Sequence, residues 1–166
     1  MRHNLTPDDG DVQLLDTTLR DGEQAPGISL SPAEKVDIAR QLDRAGVAVI
    51  EAGSACTGPR ERDAIEDVAG LDLDSMVTSF ARGVRHDIDL ALDTGVDGVH
   101  LVVPASDRHV EDKVGSTKHD VLETTTELVE YATDHGLWVE VIGEDGSRAD
   151  PEFLEELAVT AFEIGR

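Results

Sequence analysis

The chain alternates short apolar, β-rich runs with longer amphipathic stretches five times over. Predicted strands lie at 12–16, 47–52, 76–81, 99–103 and 137–142, and predicted helices at 32–45, 59–68, 84–93, 118–134 and 151–164. Strands that alternate with helices pair in parallel, because each helix carries the chain back across the sheet. This pattern predicts an α/β protein with a parallel sheet and about five β-α units.

The first predicted helix has clear start and stop signals. Ser31 is a favourable N-cap, Pro32 suits the first helical position, and Gly46 ends the helix. Its predicted apolar stripe consists of Val36, Ala39, Leu42 and Ala45.

Two architectures fit five β-α units, an open doubly wound sheet and a (β/α)8 barrel. The first strand is followed by the charged loop 18–24, without the G-x-G-x-x-G turn of a dinucleotide-binding sheet. Barrels build their sites from such loops at the carboxyl ends of strands, so the sequence favours a barrel. A closed barrel of this class has eight strands. We therefore expect residues 12–166 to form the N-terminal portion of a TIM (β/α)8 barrel, preceded by a polar tail at 1–11.

The charge balance excludes several classes of partner. Thirty-six acidic residues oppose 14 basic ones, a formal net charge of −22, and only Lys35, Lys113 and Lys118 are lysines. Such a field repels nucleic acid and anionic membranes. A polar N-terminus and the lack of a long apolar run predict a cytoplasmic protein, and a single cysteine excludes an internal disulfide. A surface rich in acids and poor in lysine is typical of a halophile.

Polar residues cluster where the predicted strands end. They are Arg20 and Asp21 after the first strand, Glu51 in the second, His100 in the fourth, and Glu140 and Glu144 flanking Ile142 in the fifth. Each alone has an ordinary structural explanation, such as a surface ion pair or a hydrogen-bonded core histidine. Together they favour a site, in which Asp21 suits a divalent cation and Arg20 a developing oxyanion. The pattern indicates metal-assisted chemistry on an anionic substrate.

One segment carries a family resemblance. The run 16–27, DTTLRDGEQAPG, closely resembles the signature of the isopropylmalate, homocitrate and citramalate synthases, which are metallolyases on a TIM barrel. The segments 139–150, VEVIGEDGSRAD, and 50–54, IEAGS, are similar to the fifth-strand and second-strand segments of the same family. The closest likeness is to the 2-isopropylmalate synthase type.

The resemblance implies an acyltransferase that condenses acetyl-CoA with a 2-oxo acid in a Claisen reaction. It implies that Arg20 and Glu144 act in catalysis and that Asp21 binds Mg²⁺, Mn²⁺ or Zn²⁺. The substrate-binding residues implied are Gln24, Glu51, His100, Glu140 and Ile142. Glu140 would repel a second carboxylate, which favours 2-oxoisovalerate and leucine biosynthesis, with pyruvate next. The complete enzyme is expected to be a homodimer.

The chain also departs from the family pattern. Its six histidines form no His-x-His pair, which the resemblance implies as two metal ligands of the family. We also expect the family's C-terminal subdomain to be absent from this chain. We therefore expect the 166-residue chain to be truncated and inactive alone. The alternatives are a citramalate or homocitrate synthase, a lyase or aldolase of the same superfamily, and a non-catalytic remnant that docks on a full-length paralogue.

Overall fold

The computed structural model describes residues 12–164, so the predicted tail at 1–11 lies outside the described residues. The strands are β1 Leu15–Asp16, β2 Val49–Gly53, β3 Met76–Arg82, β4 Gly98–Pro104 and β5 Trp138–Glu144. The helices are α1 Pro32–Arg44, α2 Pro59–Ala69, α3 Arg85–Asp93, α4 Lys118–Asp134 and α5 Pro151–Ile164. Within 12–164, no helix combines the length and apolar character that a membrane crossing requires.

The strand order decides between the two predicted architectures. The five strands follow one another in the sheet as β1-β2-β3-β4-β5. β1 and β2 run parallel with Leu15 opposite Val49, and β2 and β3 run parallel with Val49 opposite Met76. A doubly wound sheet reverses direction next to its first strand, whereas a barrel adds strands in chain order. The predicted partial (β/α)8 fold is confirmed.

The predicted helix caps are also confirmed. Ser31 Oγ accepts a hydrogen bond from the Glu34 backbone N–H at 3.3 Å, and Glu34 Oε2 accepts one from the Ser31 N–H at 2.8 Å. Thr117 and Asp120 form the same reciprocal pair at the start of α4, a cap that was not predicted. Gly46 follows α1 with φ +83°, a conformation that suits glycine.

Beyond shifts of one or two residues at other strand and helix ends, two local predictions are wrong. Residues 12–14 were predicted as strand, but β1 begins at Leu15. Before it, the Leu14 carbonyl accepts hydrogen bonds from the N–H groups of Ala48 and Val49, while the Val12 side chain is 88% exposed. The stripe of α1 also differs, since Ala45 is exposed while Lys35 is buried beside Ala39. The acceptors around the Lys35 ammonium, described below, account for a lysine in that position.

The described chain divides into two compact units, residues 12–80 with 90–98, and residues 81–89 with 99–164. In the first unit, α1 and α2 pack against each other and against β2. Its buried apolar side chains include Ala39, Ile50, Ala64, Ile65 and Val68. In the second unit, α4 and α5 pack against each other and against β5. Its core includes Leu128, Val129, Ala132, Phe153 and Leu157.

Candidate active site

The loop after β1 is tightly folded around one carbonyl group. Thr17 O accepts the backbone N–H groups of Arg20, Asp21 and Gly22 at 3.1, 2.8 and 3.1 Å. A 3-10 turn at Gly22–Gln24 follows, and the Leu19 side chain is fully buried. These contacts hold Arg20 and Asp21 in a defined position at the carboxyl end of β1.

Arg20 lies between two carboxylates of very different exposure. Its Nε donates to Glu51 Oε2 at 2.7 Å, and Glu51 is completely buried in the middle of β2. Its Nη1 donates to Asp21 Oδ1 at 3.1 Å, and the Asp21 side chain is 64% exposed. Glu51 therefore holds the guanidinium, while Asp21 faces solvent beside it.

The Arg20 guanidinium also contacts an aromatic ring and has a third nitrogen, Nη2. Its Cζ lies 4.8 Å from the centroid of the Phe80 ring, a cation–π distance. Among residues 12–164, no hydrogen-bond partner of Nη2 is found. The predicted grouping of Arg20, Asp21 and Glu51 is thus present, and Nη2 keeps two N–H groups for an anionic ligand. Gln24, also predicted to bind substrate, has an exposed side chain in the 3-10 turn.

Lys35 connects this loop to its surroundings. Its ammonium is 1% exposed and lies 2.8 Å from Glu23 Oε2 and 2.7 Å from Glu61 Oε1. It also donates to the carbonyls of Leu19 at 3.0 Å and Ala52 at 3.3 Å. Burial acts to raise the pKa of Glu23, but hydrogen bonds from Lys35 and from the Leu30 N–H outweigh it and lower that pKa.

The second unit holds the other predicted site residues. His100 on β4 is 1% exposed, and its Nε2 lies 3.7 Å from Glu140 Oε2 on β5. The Trp138 ring packs edge-on against His100 with centroids 6.0 Å apart. Glu140 keeps 42% of its side chain exposed, and Ile142 further along β5 is half-buried. The structure therefore brings His100 and Glu140 together, at a distance that is too long for a direct hydrogen bond.

Glu144, at the end of β5, is held by a lysine. Lys113 Nζ donates to both of its carboxylate oxygens at 2.7 Å. His109 Nδ1 lies 3.2 Å from Glu144 Oε2. The Lys113 hydrogen bonds lower the pKa of Glu144 against the opposing effect of burial. Glu144 is therefore ionised near neutral pH.

The residue after Glu144 has an unusual backbone. Asp145 has φ 60° and ψ 30°, a left-handed conformation that is uncommon outside glycine. Hydrogen bonds from Arg148 and then Ser106 lower the pKa of Asp145. The three residues line an open cavity of about 370 Å³ with Asp107, Arg108 and His109.

A comparison of the sequence with protein-family models decides the family. The model described as HMGL-like matches residues 11–166, nearly the whole chain. The chain belongs to the HMGL-like family.

Named relatives of this HMGL-like chain are biosynthetic synthases. An (R)-citramalate synthase of Methanocaldococcus jannaschii is 49% identical, over 93% of this chain and 31% of its own length. From Methanopyrus kandleri, a homocitrate synthase is 46% identical over 93% of this chain and 39% of its own length. A probable 2-isopropylmalate synthase of the same organism is 46% identical over 93% and 31%. The HMGL-like chain thus spans about a third of the length of the curated relatives it matches.

Solved structures support the fold. A hydroxymethylglutaryl-CoA lyase from Pseudomonas aeruginosa superposes with a TM-score of 0.73 at 24% identity, over 93% of this chain and 55% of that chain. An HMG-CoA lyase from Bacillus subtilis gives 0.72 at 22% identity, over 93% and 55%. At these identities the likeness concerns the fold of the HMGL-like chain alone.

The described residues do not by themselves fit a tightly held divalent cation. Within 12–164 no group of three or more His, Cys, Asp or Glu side chains converges in a metal-binding arrangement. Asp21 offers exposed carboxylate oxygens, one of which already accepts from Arg20. Hard cations such as Mg²⁺ take six oxygen ligands, to which this part of the HMGL-like chain adds one side chain.

Sequence reasoning missed Lys35 and Lys113 as residues of the site. Lysine is normally a surface residue, and nothing in the helical pattern marked Lys35 as buried. One signal was available, because the chain has only three lysines against 36 acidic residues. All three contact carboxylates, since Lys118 bridges Asp107 and Asp150.

Proposed function

We propose that the chain is part of an acyltransferase that condenses acetyl-CoA with a 2-oxo acid in a Claisen-type reaction. The observation that carries the proposal is the Arg20 guanidinium, which Glu51 holds through Nε while Nη2 keeps its donors available. The signature loop 16–27 and relatives named as citramalate, homocitrate and 2-isopropylmalate synthases support this class of reaction.

Arg20 would act on the negative charge that develops during the condensation. Acetyl-CoA loses a methyl proton, and its enolate adds to the ketone of the 2-oxo acid, whose oxygen becomes an alkoxide. The alkoxide takes up a proton, and water then hydrolyses the thioester and releases CoA. A guanidinium already fixed by a buried carboxylate needs little reorganisation to donate to that oxygen. Removal of one such preorganised donor typically lowers kcat by about 10²–10³.

Glu144 would take part as an ionised carboxylate. The Lys113 hydrogen bonds lower the pKa of Glu144, so it is ionised near neutral pH, and the same lowering makes it a weaker base than an ordinary carboxylate. We therefore propose that Glu144 contributes a fixed negative charge, whose two oxygens Lys113 holds in place.

The second unit bears on the choice of 2-oxo acid. Glu140 places a partly exposed carboxylate on β5 beside the buried His100. A second substrate carboxylate near Glu140 would be repelled, which favours a monocarboxylic 2-oxo acid over 2-oxoglutarate. The sequence resemblance points to 2-oxoisovalerate, whereas the relatives named (R)-citramalate synthase support pyruvate. We propose the monocarboxylic class and leave these two as its competing members.

The proposal includes a divalent cation and a dimeric complete enzyme, as the sequence resemblance implies. Asp21 would supply one carboxylate oxygen to Mg²⁺, Mn²⁺ or Zn²⁺. Since the described residues do not complete that site, no step is assigned to the cation.

Calorimetric binding of 2-oxo acids in high salt tests the proposal. The chain and its R40M variant, which alters an exposed arginine on α1, should bind pyruvate or 2-oxoisovalerate more tightly than 2-oxoglutarate. R20M should weaken that binding at least about tenfold, the effect of losing a hydrogen bond to a charged group. A folded chain that binds none of the three acids would contradict the proposal and favour the non-catalytic alternative.

Release of free CoA from acetyl-CoA, with Mg²⁺ or Mn²⁺ present, tests the reaction itself. We expect no turnover by the 166-residue chain. Turnover that R20M abolishes would support the condensation and show the expectation of inactivity to be wrong.

A further inference from the structure

A buried lysine outside the proposed chemistry sits behind the signature loop. Lys35 lies on α1 with its side chain 1% exposed. A buried ammonium is costly unless charged and polar partners surround it, and here two carboxylates and two carbonyls do so. Such an arrangement constrains every element that supplies an acceptor.

The two loop groups that accept from Lys35 lie on either side of Arg20 and Asp21 in the sequence. Leu19, whose carbonyl accepts from Lys35, directly precedes Arg20. Glu23, whose carboxylate lies 2.8 Å from Lys35, follows Asp21 by two residues. The ammonium thus fixes both ends of the segment that presents Arg20 and Asp21.

The same ammonium also fixes the strand that carries the partner of Arg20. Ala52, whose carbonyl accepts from Lys35 at 3.3 Å, directly follows Glu51. The register between β2 and β3 shifts between Glu51 and Gly53, so Ala52 lies at an irregularity of the ladder. The Lys35 ammonium therefore binds both Leu19, which precedes Arg20, and Ala52, which follows Glu51.

A fourth contact attaches this point to α2. Glu61 Oε1 lies 2.7 Å from the ammonium, and it also lies where a Cβ on Gly53 would stand. A glycine at position 53 thus leaves the space through which Glu61 reaches Lys35.

We propose that Lys35 is a positioning residue, which sets the placement of Arg20 relative to Glu51 by tying the signature loop, β2 and α2 to one ammonium. The proposal rests on the proposed function, because Arg20 and Asp21 are its acting groups. Lys35 itself contacts no substrate and acts through the Leu19 carbonyl and the Glu23 carboxylate.

Two carboxamide variants of the full chain separate this role from simple stabilisation. E23Q keeps an oxygen for the Leu30 N–H but removes the charge that faces Lys35, so it weakens the link to the loop. E61Q weakens the link to α2 and leaves both loop contacts. R40M, on the solvent side of α1, is the control for a charge change in that helix.

Hydrogen exchange of backbone amides is the readout, because it reports local opening separately from global unfolding. E23Q should accelerate exchange at Arg20, Asp21 and Gly22 at least about tenfold while α1 and α2 change by less than about threefold. E61Q and R40M should leave the loop amides within about threefold of the parent chain. K35M should accelerate the loop amides more than E23Q does.

Equal acceleration of the loop and both helices in E23Q would overturn the proposal, since it would indicate general destabilisation. Unchanged loop exchange in E23Q would overturn it as well. If K35M does not fold, the difference in loop exchange between E23Q and E61Q still tests the proposal.

Binding of pyruvate and 2-oxoisovalerate to the same variants tests the function separately. E23Q should weaken binding about tenfold, and R40M should not. Loss of loop protection in E23Q, with no 2-oxo acid bound even by the parent chain, would support the positioning role and refute the proposed function.

Discussion

The pairing of Arg20 with Glu51 makes a quantitative prediction about stability. Glu51 is fully buried and Arg20 is 19% exposed, with 2.7 Å between Nε and Oε2. Removal of one member of a buried ion pair costs about 3–5 kcal/mol. Arg20 is partly solvated and Glu51 has a further interaction, so we expect about 3 kcal/mol for R20M. For a chain of this size that corresponds to a decrease in Tm of about 6–12 °C.

The neighbouring carboxylate provides the matched control. Asp21 is 64% exposed, and an exposed pair contributes at most about 1 kcal/mol, so D21N should lower Tm by no more than about 4 °C. The double variant R20M/E51Q should regain much of the stability that R20M loses, because the buried charge is removed with its partner. Thermal and urea unfolding, followed by far-ultraviolet circular dichroism in high salt, measure all four proteins. An R20M variant as stable as D21N would show that Glu51 does not hold the guanidinium.

Three further predictions concern other parts of the molecule. G53A should lower the free energy of unfolding by about 1.5–3 kcal/mol, because the new methyl group displaces Glu61 from Lys35. Urea unfolding measures this change, and an unchanged urea midpoint would contradict the close contact between Glu61 and position 53. K113M should raise the pKa of Glu144 towards its ordinary 4.5, and an NMR pH titration that follows the Glu144 carboxyl carbon measures this. A lowered folded-state pKa stabilises the protein above the unfolded value, so the stability difference between K113M and the parent should be full above pH 4.5 and vanish as the pH falls further. The formal net charge of −22 means that the acidic side chains repel one another in the folded chain. Raising the salt concentration from 0.1 M to 1 M shortens the screening length from about 10 Å to about 3 Å and should therefore raise Tm. A Tm that stays constant or falls would contradict this repulsion.

The fold was largely predictable because its signals are local. Ser31 marks the start of α1 through contacts within three residues, and Gly46 marks its end through its own backbone conformation. The predicted bounds of α4 and α5 match the structure, since their apolar periodicity is continuous. The predicted start of the first strand was wrong because a strand depends on a neighbour, and among residues 12–14 only the Leu14 carbonyl bonds to β2.

The candidate site was predictable in its residue types and less so in its contacts. Arg20 and Asp21 are neighbours in sequence, and Glu51 comes near them because β2 pairs in parallel with β1, with Ile50 opposite Asp16 just before their loop. The partner of Glu144 was not predictable, because Lys113 lies 31 residues earlier, in the π-helical turn His109–Lys113. The burial of Lys35 depends on acceptors from three elements, which no periodicity in α1 reveals.

Because the chain has only three lysines, the chemical reactivity of the buried Lys35 can be followed on its own. The side chains of Lys113 and Lys118 are 53% and 36% exposed, whereas that of Lys35 is 1% exposed. A reagent that acylates free amines should therefore label Lys113 and Lys118 quickly and reach Lys35 only when the surrounding carboxylates separate. The labelling rate at this one position would measure how often the signature loop opens, in an otherwise unaltered chain.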